Sequence, residues 1–343
     1  MGLKIAVLGA GSWGTALAWL LSSKGYEVNL WHRREDLIQN ILKNKENQKY
    51  LPGIVLNNLI NPSCDLEEAI KDSEIILLAV PSQAIRTICQ QIQSMVNAEQ
   101  LVVNVAKGIE EQTYYRLTQV INEVLPYNDV FVLSGPSHAE EVARKLPTTV
   151  VIAGEVKEKC EYIQDIFSTD FFRVYTNPDM VGVELGGALK NIIALGAGLS
   201  DGIGYGDNSK AALMTRGIVE ISRLGKVLGA KSETFAGLAG IGDLIVTCTS
   251  MHSRNRRAGI LLGQGEKLEK VLDEIGMVVE GVRATKIAYE VSNIYHCDMP
   301  ITKAMYAILY QDANVEDIVY ELMTRKNKHE TEEIHSLFYF GWN

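Results

Sequence analysis

The sequence predicts an α/β chain, with an amino-terminal doubly wound parallel sheet followed by an all-helical carboxy-terminal domain. Three observations carry this. A strand-length apolar run, Lys4 to Leu8, leads straight into Gly9-Ala10-Gly11-Ser12-Trp13-Gly14 and then an apolar helical stretch, Thr15 to Ser22. Strand-like runs then alternate with helical spacing as far as Tyr175, the pattern of parallel strands joined by crossover helices. Beyond Pro178 no strand pattern recurs, and apolar residues return at helical spacing through Tyr320. A chain of 343 residues is long for one core, since single cores seldom outgrow about 250–300 residues. The expected division is a sheet domain over 1–180 and a helical domain over 181–343.

The first element is the most informative. Strand, Gly-x-Gly-x-x-Gly and helix occur in the order a dinucleotide-binding turn requires. Gly9 permits the tight turn, Gly11 lets a pyrophosphate approach the backbone, and Gly14 lets the helix pack against the strand. Unpaired N–H groups at the helix start then point at the phosphates. A second strand, Tyr26 to Trp31, completes a Rossmann βαβ unit. It ends in His32-Arg33-Arg34, where NAD-preferring proteins place an acid roughly 20 residues after the glycines. The two arginines suit the extra phosphate of NADP, and equally suit a solvated loop. NADPH is the expected coenzyme, with NADH open.

The remaining elements of the sheet domain follow in turn. Asp65 to Ile70 reads as a short helix with acids in its first turn, where the dipole favours them. Glu74 to Val80 is a strand stopped by Pro81, and Ser82 to Met95 has helical spacing. Leu101 to Ala106 is a strand ending at Lys107-Gly108, followed by a helix from Gln112 to Val124. Val130 to Leu133 leads to the turn Ser134-Gly135-Pro136-Ser137, and Thr148 to Ala153 and Phe172 to Tyr175 are the last strands. Ligands of such sheets bind beyond the strand carboxyl ends, where Lys107 and Gly135 to Ser137 fall.

The helical half opens with glycines at 182, 186, 187, 196, 198, 202, 204 and 206. Such density costs helix propensity, so close packing or a tight ligand approach is expected to compensate. Lys190 has Gly186, Gly187, Ala194 and Ala197 on its own helix face. A lysine on a face of small residues either points into a site or snorkels out of the core. In a site, desolvation would lower its pKa from about 10.4 and make it a usable proton donor. Asp243 is a lone acid in the apolar stretch Ala239 to Leu244, suited to positioning a lysine or to capping a helix. His252-Ser253-Arg254-Asn255-Arg256-Arg257 offers hydroxyl, guanidinium and amide donors to a phosphate, or forms a solvated basic loop. The tail from Arg325 is charged and then aromatic (Phe338, Tyr339, Phe340, Trp342), a composition that fits docking on the body or framing an interface.

Bulk composition bounds the function. Apolar residues at 47% and charged residues at 22% are ordinary globular values, and the net charge of −9 argues against nucleic-acid or anionic-membrane partners. Five scattered cysteines (Cys64, Cys89, Cys160, Cys248, Cys297) read as reduced thiols of a cytoplasmic protein. The six histidines have no metal spacing, so no metal is expected. Residues 4–21 resemble a signal-peptide core, but the motif glycines and the following strand argue for structure. Met180 to Leu199 is apolar for a membrane-span length, yet Glu184, Lys190 and Asn191 interrupt it. Charge inside a span is costly, and a buried helix is expected.

Seven ordered segments together resemble the bacterial-type NAD(P)-dependent glycerol-3-phosphate dehydrogenases over nearly the whole chain. They are residues 9–14, Val105-Ala106-Lys107-Gly108, Ser134 to Ala139, Leu189-Lys190-Asn191, Gly240-Ile241-Gly242-Asp243-Leu244, Ser253-Arg254-Asn255 and Val279-Glu280-Gly281. The resemblance implies reversible reduction of dihydroxyacetone phosphate to sn-glycerol 3-phosphate for glycerophospholipid synthesis. It implies Lys190 as the proton donor in reduction and the base in reverse, held by Asp243, with Lys107 and Asn191 orienting the substrate oxygens. Ser253, Arg254 and Asn255 would take the substrate phosphate, with Gly135 and Ser137 lining the same pocket. Ser12, Trp13, Arg33, Lys107, Ala139, Arg254, Val278 and Glu280 would surround the cofactor, alongside Gly9, Gly11, Gly14, His32 and Arg34 from the residue-level reading. Hydride delivered to a carbonyl carbon leaves negative charge on oxygen, which a cationic donor stabilises. The phosphate anchors and orients the substrate. A homodimer is a fair expectation for such a dehydrogenase.

Two rival readings are weighed. Dehydrogenases of the β-hydroxyacid or 6-phosphogluconate type resemble Lys-x-x-x-Asn on the corresponding helix, whereas here Lys190 is followed directly by Asn191 and position 194 is alanine. A catalytically silent dinucleotide sensor would need the glycine turn but not Lys190, Asp243 and Arg254 together.

Overall fold

The computed structural model describes residues 2–327 and 330 of the 343-residue chain. The aromatic part of the tail therefore lies outside the described residues. In chain order the sheet half contains β1 (Lys4–Leu8), α1 (Ser12–Ser23), β2 (Glu27–Trp31), α2 (Glu35–Asn44), β3 (Ile60–Ser63), α3 (Leu66–Ile70), β4 (Ile75–Leu78) and α4 (Ile85–Ile92). It continues with β5 (Leu101–Asn104), α5 (Leu117–Val124), β6 (Val130–Ser134), α6 (Ala139–Val142), β7 (Thr148–Ala153), α7 (Lys157–Phe167) and β8 (Phe172–Asn177). The helical half contains α8 (Met180–Ile203), α9 (Asp207–Val227), α10 (Asp243–Thr249), α11 (Arg254–Gly263), α12 (Leu268–Ile275), α13 (Glu280–Ile294), α14 (Pro300–Tyr310) and α15 (Val315–Met323). The chain divides into two compact units, one of Met1–Ala188 with Glu233–Asp243, the other of Leu189–Ser232 with Leu244–Asn343.

The sheet unit holds eight strands in the order β3-β2-β1-β4-β5-β6-β7-β8. Its sequence pattern explains its layers. The central strands are apolar at nearly every position, β4 at all four of them, as strands covered on both faces must be. Ile5, Val7, Ile75, Leu77 and Val103 pack on one face with Leu17 and Leu21 of α1, Ile38 and Ile41 of α2, and Ile163 and Phe167 of α7. Ala6, Leu8, Ile76, Leu78 and Val102 pack on the other with Ile70 of α3, Ile85 and Ile92 of α4, and Val120 and Ile121 of α5. Strand order reverses between β1 and β4, so the crevice beyond their carboxyl ends is the topological switch point.

Three local expectations are corrected. The sheet is not parallel throughout, because β7 pairs antiparallel to β6 while β8 runs parallel to β7. The β6–β7 connection carries only the single-turn α6, too little helix for the usual crossover. The helix expected from Gln112 begins only at Leu117. Ile109 bridges Arg116, Glu110 N–H donates to the Tyr115 carbonyl, and Tyr114 has φ +59°, which holds the backbone in a turn until Arg116. The segment expected as one helix over Ser82 to Met95 starts as a 3₁₀ turn at Ser82–Ala84, and α4 ends at Ile92. β3 was not expected at all. It contains Asn61-Pro62, and proline is tolerated there because β3 is an edge strand.

After Asn177 the described residues form no further strand. Helix α8 is the long apolar segment, and 94% of its most apolar window is buried inside the chain. In the helical unit its glycines meet glycines of α11. A Cβ on Gly198 would lie 2.0 Å from the Arg256 carbonyl oxygen, and one on Gly202 2.2 Å from that of Ile260. Reciprocally, Gly259 faces the Leu195 carbonyl at 2.1 Å and Gly263 that of Leu199 at 2.4 Å. Close helix packing is what offsets the propensity cost here.

Candidate functional site

In the sheet unit the glycine turn closes β1 onto α1 at the switch point. Gly9 has φ +127°, and a Cβ there would come within 2.5 Å of the Ala79 carbonyl oxygen. A Cβ on Gly14 would lie 1.9 Å from the Gly9 oxygen, so α1 can pack this close only without a side chain. Gly11 differs, because no protein atom lies within 4 Å of where its Cβ would be. It is the N-cap of α1 and no side chain caps the helix N–H groups there. Buried Asn47 holds the turn, donating to the Ala10 carbonyl at 2.9 Å and to Thr15 Oγ1 at 2.8 Å. Trp13 packs on the apolar cluster that contains Ala139, so two residues far apart in sequence share one wall with the half-buried Ser12 beside them. These features fit a dinucleotide, with room for a close backbone approach at Gly11, a helix start without a side-chain cap and an apolar flank.

His32, Arg33 and Arg34 follow β2 and precede α2. His32 Nδ1 accepts the Arg34 N–H at 3.0 Å. Burial, followed by the charges of Arg34 and Arg33, pushes the His32 imidazole below its ordinary value. Arg34 is ion-paired with Asp36, whose carboxyl that hydrogen bond holds down to about 2. Both arginines are exposed, and Arg34 is the one engaged by a carboxylate.

Lys107 lies just past β5 in a turn fixed by Asn104, whose side chain bonds both the N–H and the carbonyl of Ala106 at 3.1 Å. Its ammonium donates to the Gly135 carbonyl at 3.1 Å and to Asp243 Oδ2 at 2.7 Å. Gly135 has φ +131° and fits against Val150, 3.0 Å from where a Cβ would be. Ser137 Oγ donates to the same Gly135 carbonyl at 3.0 Å. Asp243 is 1% exposed and follows a π-helical turn, Leu238–Gly242, a departure from α geometry often found at functional sites. The sheet unit therefore gathers Lys107, Gly135, Ser137 and Asp243. Gly186 and Gly187 of α8 are met here too, Gly186 by the Ala239 carbonyl oxygen at 2.4 Å and Gly187 by Ser134 Oγ at 2.8 Å, measured from the ideal Cβ.

In the helical unit Lys190 is 5% exposed, and its Nζ donates to Thr247 Oγ1 at 2.6 Å. The lysine does not snorkel. Ser253 is the N-cap of α11, its Oγ accepting the Arg256 N–H at 3.2 Å. The basic stretch is thus the first turn of a helix and not a loop. Arg254 is the first helical residue and half-buried. The Gly281 N–H donates to Asn255 Oδ1 at 2.8 Å, and Asn255 Nδ2 in turn donates to Asn191 Oδ1 at 2.9 Å. That chain fixes both amides. Glu280 opens α13, next to Gly281, and Val278 is exposed just before it. Sequence reading missed Thr247. Its only signal was its place four residues after Asp243, on the same face of α10.

Comparisons with known proteins identify the family. The NAD-dependent glycerol-3-phosphate dehydrogenase N-terminus family matches residues 4–160, and the corresponding C-terminus family matches residues 179–320. A relative from Thermoanaerobacter sp. (strain X514), named glycerol-3-phosphate dehydrogenase [NAD(P)+], is 56% identical over 96% of this chain and 99% of its own length. One of the same name from Moorella thermoacetica is 57% identical over 96% of this chain and 98% of its own. The crystal structure of glycerol-3-phosphate dehydrogenase from Coxiella burnetii superposes with a TM-score of 0.91 at 38% identity, covering 94% of this chain and 99% of that one.

Proposed function

The chain belongs to the NAD-dependent glycerol-3-phosphate dehydrogenases, and from that premise we propose how its residues divide the work. It is an NAD(P)-dependent oxidoreductase acting on a CH–OH group, and neither rival reading is favoured. The substrate is a small molecule, dihydroxyacetone phosphate in one direction and sn-glycerol 3-phosphate in the other, the latter feeding glycerophospholipid synthesis. The sheet unit binds the dinucleotide through Gly9, Gly11, Ser12, Trp13, Gly14 and Ala139. The helical unit supplies the phosphate ligands and the proton donor. When bound, the reduced nicotinamide supplies the hydride.

Lys190 is the proton donor to the oxygen of the reduced carbonyl and the base in reverse. The observation that carries this assignment is a lysine 5% exposed whose ammonium is aligned by the Thr247 hydroxyl. Lys107, fixed by Asp243 and the Gly135 carbonyl, is the cation that orients substrate oxygens, with Ser137 beside it. Asn191, held by Asn255, orients the substrate oxygens with Lys107. The start of α11 takes the phosphate through the Ser253 hydroxyl, the Arg254 guanidinium and the helix N–H groups. Asn255 spends its side chain on Asn191 and Gly281, so it adds backbone N–H and positions Asn191. His32, Arg33, Val278, Glu280 and Arg254 contribute to the cofactor surround. Arg33 is the cation for a ribose 2′-phosphate, which favours NADPH, with Arg34 engaged by Asp36. The working form is a cytoplasmic homodimer.

The test follows nicotinamide absorbance with NADPH and NADH separately as dihydroxyacetone phosphate is added. Oxidation of both coenzymes at a higher rate with NADPH is expected, and a Lys190→Ala variant loses turnover by about 10²-fold or more while still binding coenzyme. Oxidation of neither coenzyme, or turnover intact in Lys190→Ala, overturns the assignment.

A further inference from the structure

The arginines at 254, 256 and 257 are equivalent as sequence, but the structure separates Arg256 from the others. Arg256 Nε and Nη2 both reach Asp201 Oδ2, at 2.9 and 2.8 Å. Its Nη1 donates to the carbonyl of Thr249, the last residue of α10, at 2.7 Å. Lys210 Nζ takes the other oxygen of Asp201 at 2.6 Å. Asp201 thus accepts two cations, and the Arg256 fork is committed to one carboxylate and one helix end. Asp201, Lys210 and Arg256 are largely buried, with side chains about 15% exposed.

The placement of Asp201 gives this cluster its meaning. It stands eleven residues after Lys190 on α8, and at about 100° per residue that returns within roughly 20° of the same helix face. One face of α8 therefore meets α10 through Lys190 and Thr247, and meets α11 and the end of α10 through Asp201 and Arg256. Between them Gly198 sits on the Arg256 carbonyl oxygen. The glycine seam sets how close α11 lies to α8. The ion pair sets how far along α8 the first turn of α11 begins.

We propose that Asp201 and Arg256 are a positioning pair that fixes the α11 phosphate-binding turn relative to Lys190, and that Arg256 is not itself a phosphate ligand. The inference rests on the roles given above to Lys190 and to Ser253, Arg254 and Asn255. A phosphate on the carbon next to a reacting carbonyl must be anchored at a fixed distance from the proton donor, and misplacement by about 1 Å costs up to about 10²-fold in rate.

The test is a double-mutant cycle on the full chain, using Asp201→Ala, Arg256→Ala, the double variant, Arg256→Lys and Lys190→Ala. Turnover of dihydroxyacetone phosphate is measured, with thermal melting as a check of folding. Each single alanine variant is expected to lose about 10-fold or more in kcat/KM, with the loss seen in kcat. The double variant loses no more than the worse single one, and lysine at 256 does not rescue because it cannot make the fork. Multiplying losses, rescue by lysine, or a loss confined to KM in Arg256→Ala with Asp201→Ala unaffected would each overturn the pair and make Arg256 a phosphate ligand. If an alanine variant fails to fold, Asp201→Asn with Arg256→Lys closes the cycle with the same expected coupling. An active Lys190→Ala variant sinks the site reading itself, whereas an inactive one beside an additive cycle sinks only this inference.

Discussion

The sheet unit and the helical unit each bury a glutamate against the start of a helix, but they offset its charge in different ways. In the sheet unit Glu184 of α8 accepts the Thr118 N–H at 2.9 Å and the Thr118 hydroxyl at the start of α5, and is ion-paired with Arg116. In the helical unit Glu220 of α9 accepts the N–H groups of Ile301 and Thr302, both at 2.8 Å, and the Thr302 hydroxyl at 2.6 Å. Helix α14 begins with Pro300, which has no N–H to satisfy, so the carboxylate takes the next two donors. Burial pushes both carboxyls up, opposed by the charge of Arg116 at Glu184 and by the Thr302 hydrogen bonds at Glu220. One helix N-terminus is thus capped by a carboxylate with a cation in contact, the other by a carboxylate held mainly on uncharged donors. The lesson is that aligned N–H groups and a hydroxyl can hold a buried carboxylate where the dipole also favours it.

Truncation should separate the two devices by size. Glu184→Ala leaves the Arg116 guanidinium buried without this counter-charge, the costly way to break an ion pair, at about 3–5 kcal/mol. Glu220→Ala strands two N–H groups and a hydroxyl but no contacting cation, and should cost less, about 1–3 kcal/mol. Urea denaturation of each variant measures both. Equal losses would show that Arg116 adds nothing beyond the uncharged donors and would dissolve the contrast.

The same distinction between local and distant causes decides what could be read from the sequence. The glycine turn was legible because its requirements are steric and local. Gly9 and Gly14 lie five residues apart, and each excludes a side chain against backbone in the same turn or the neighbouring strand. The small residues lining the face of Lys190 were legible from helical period, but that period left burial and snorkelling both open, and only the 5% exposure decides between them. The partner of Lys190, Thr247, was not legible, since a threonine in an apolar helix is unremarked unless a lysine 57 residues away is known to reach it. Arg254 and Arg256 could not be told apart for the same reason, the partner of Arg256 being 55 residues distant. The antiparallel β7 and the proline-bearing β3 depend on what the chain packs beside, which periodicity does not encode. Glu184 was read only as an interruption of an apolar segment, and its cap on α5 appears only when the two helices are in place.

The finest test of the contrast is pH. The folded value of Glu220 lies above the ordinary 4.5. In the window between the two, the native chain holds a proton that the unfolded chain has released. Its contribution to stability is therefore complete below 4.5 and is lost as pH rises through the folded value. Glu110 in the sheet unit has the opposite sign. Arg86 grips it at 2.8 Å through both oxygens and, with Thr113, holds its carboxyl below 4.5. Its contribution is complete above 4.5 and is lost as pH falls through the folded value. Melting temperatures of the wild type, Glu220→Gln and Glu110→Gln from about pH 3.5 to about pH 8 should consequently diverge. The penalty for Glu220→Gln shrinks as pH rises, and the penalty for Glu110→Gln shrinks as pH falls. Two penalties moving in the same direction would mean that burial at Glu220 and the Arg86 hydrogen bonds at Glu110 do not shift the two carboxyls oppositely.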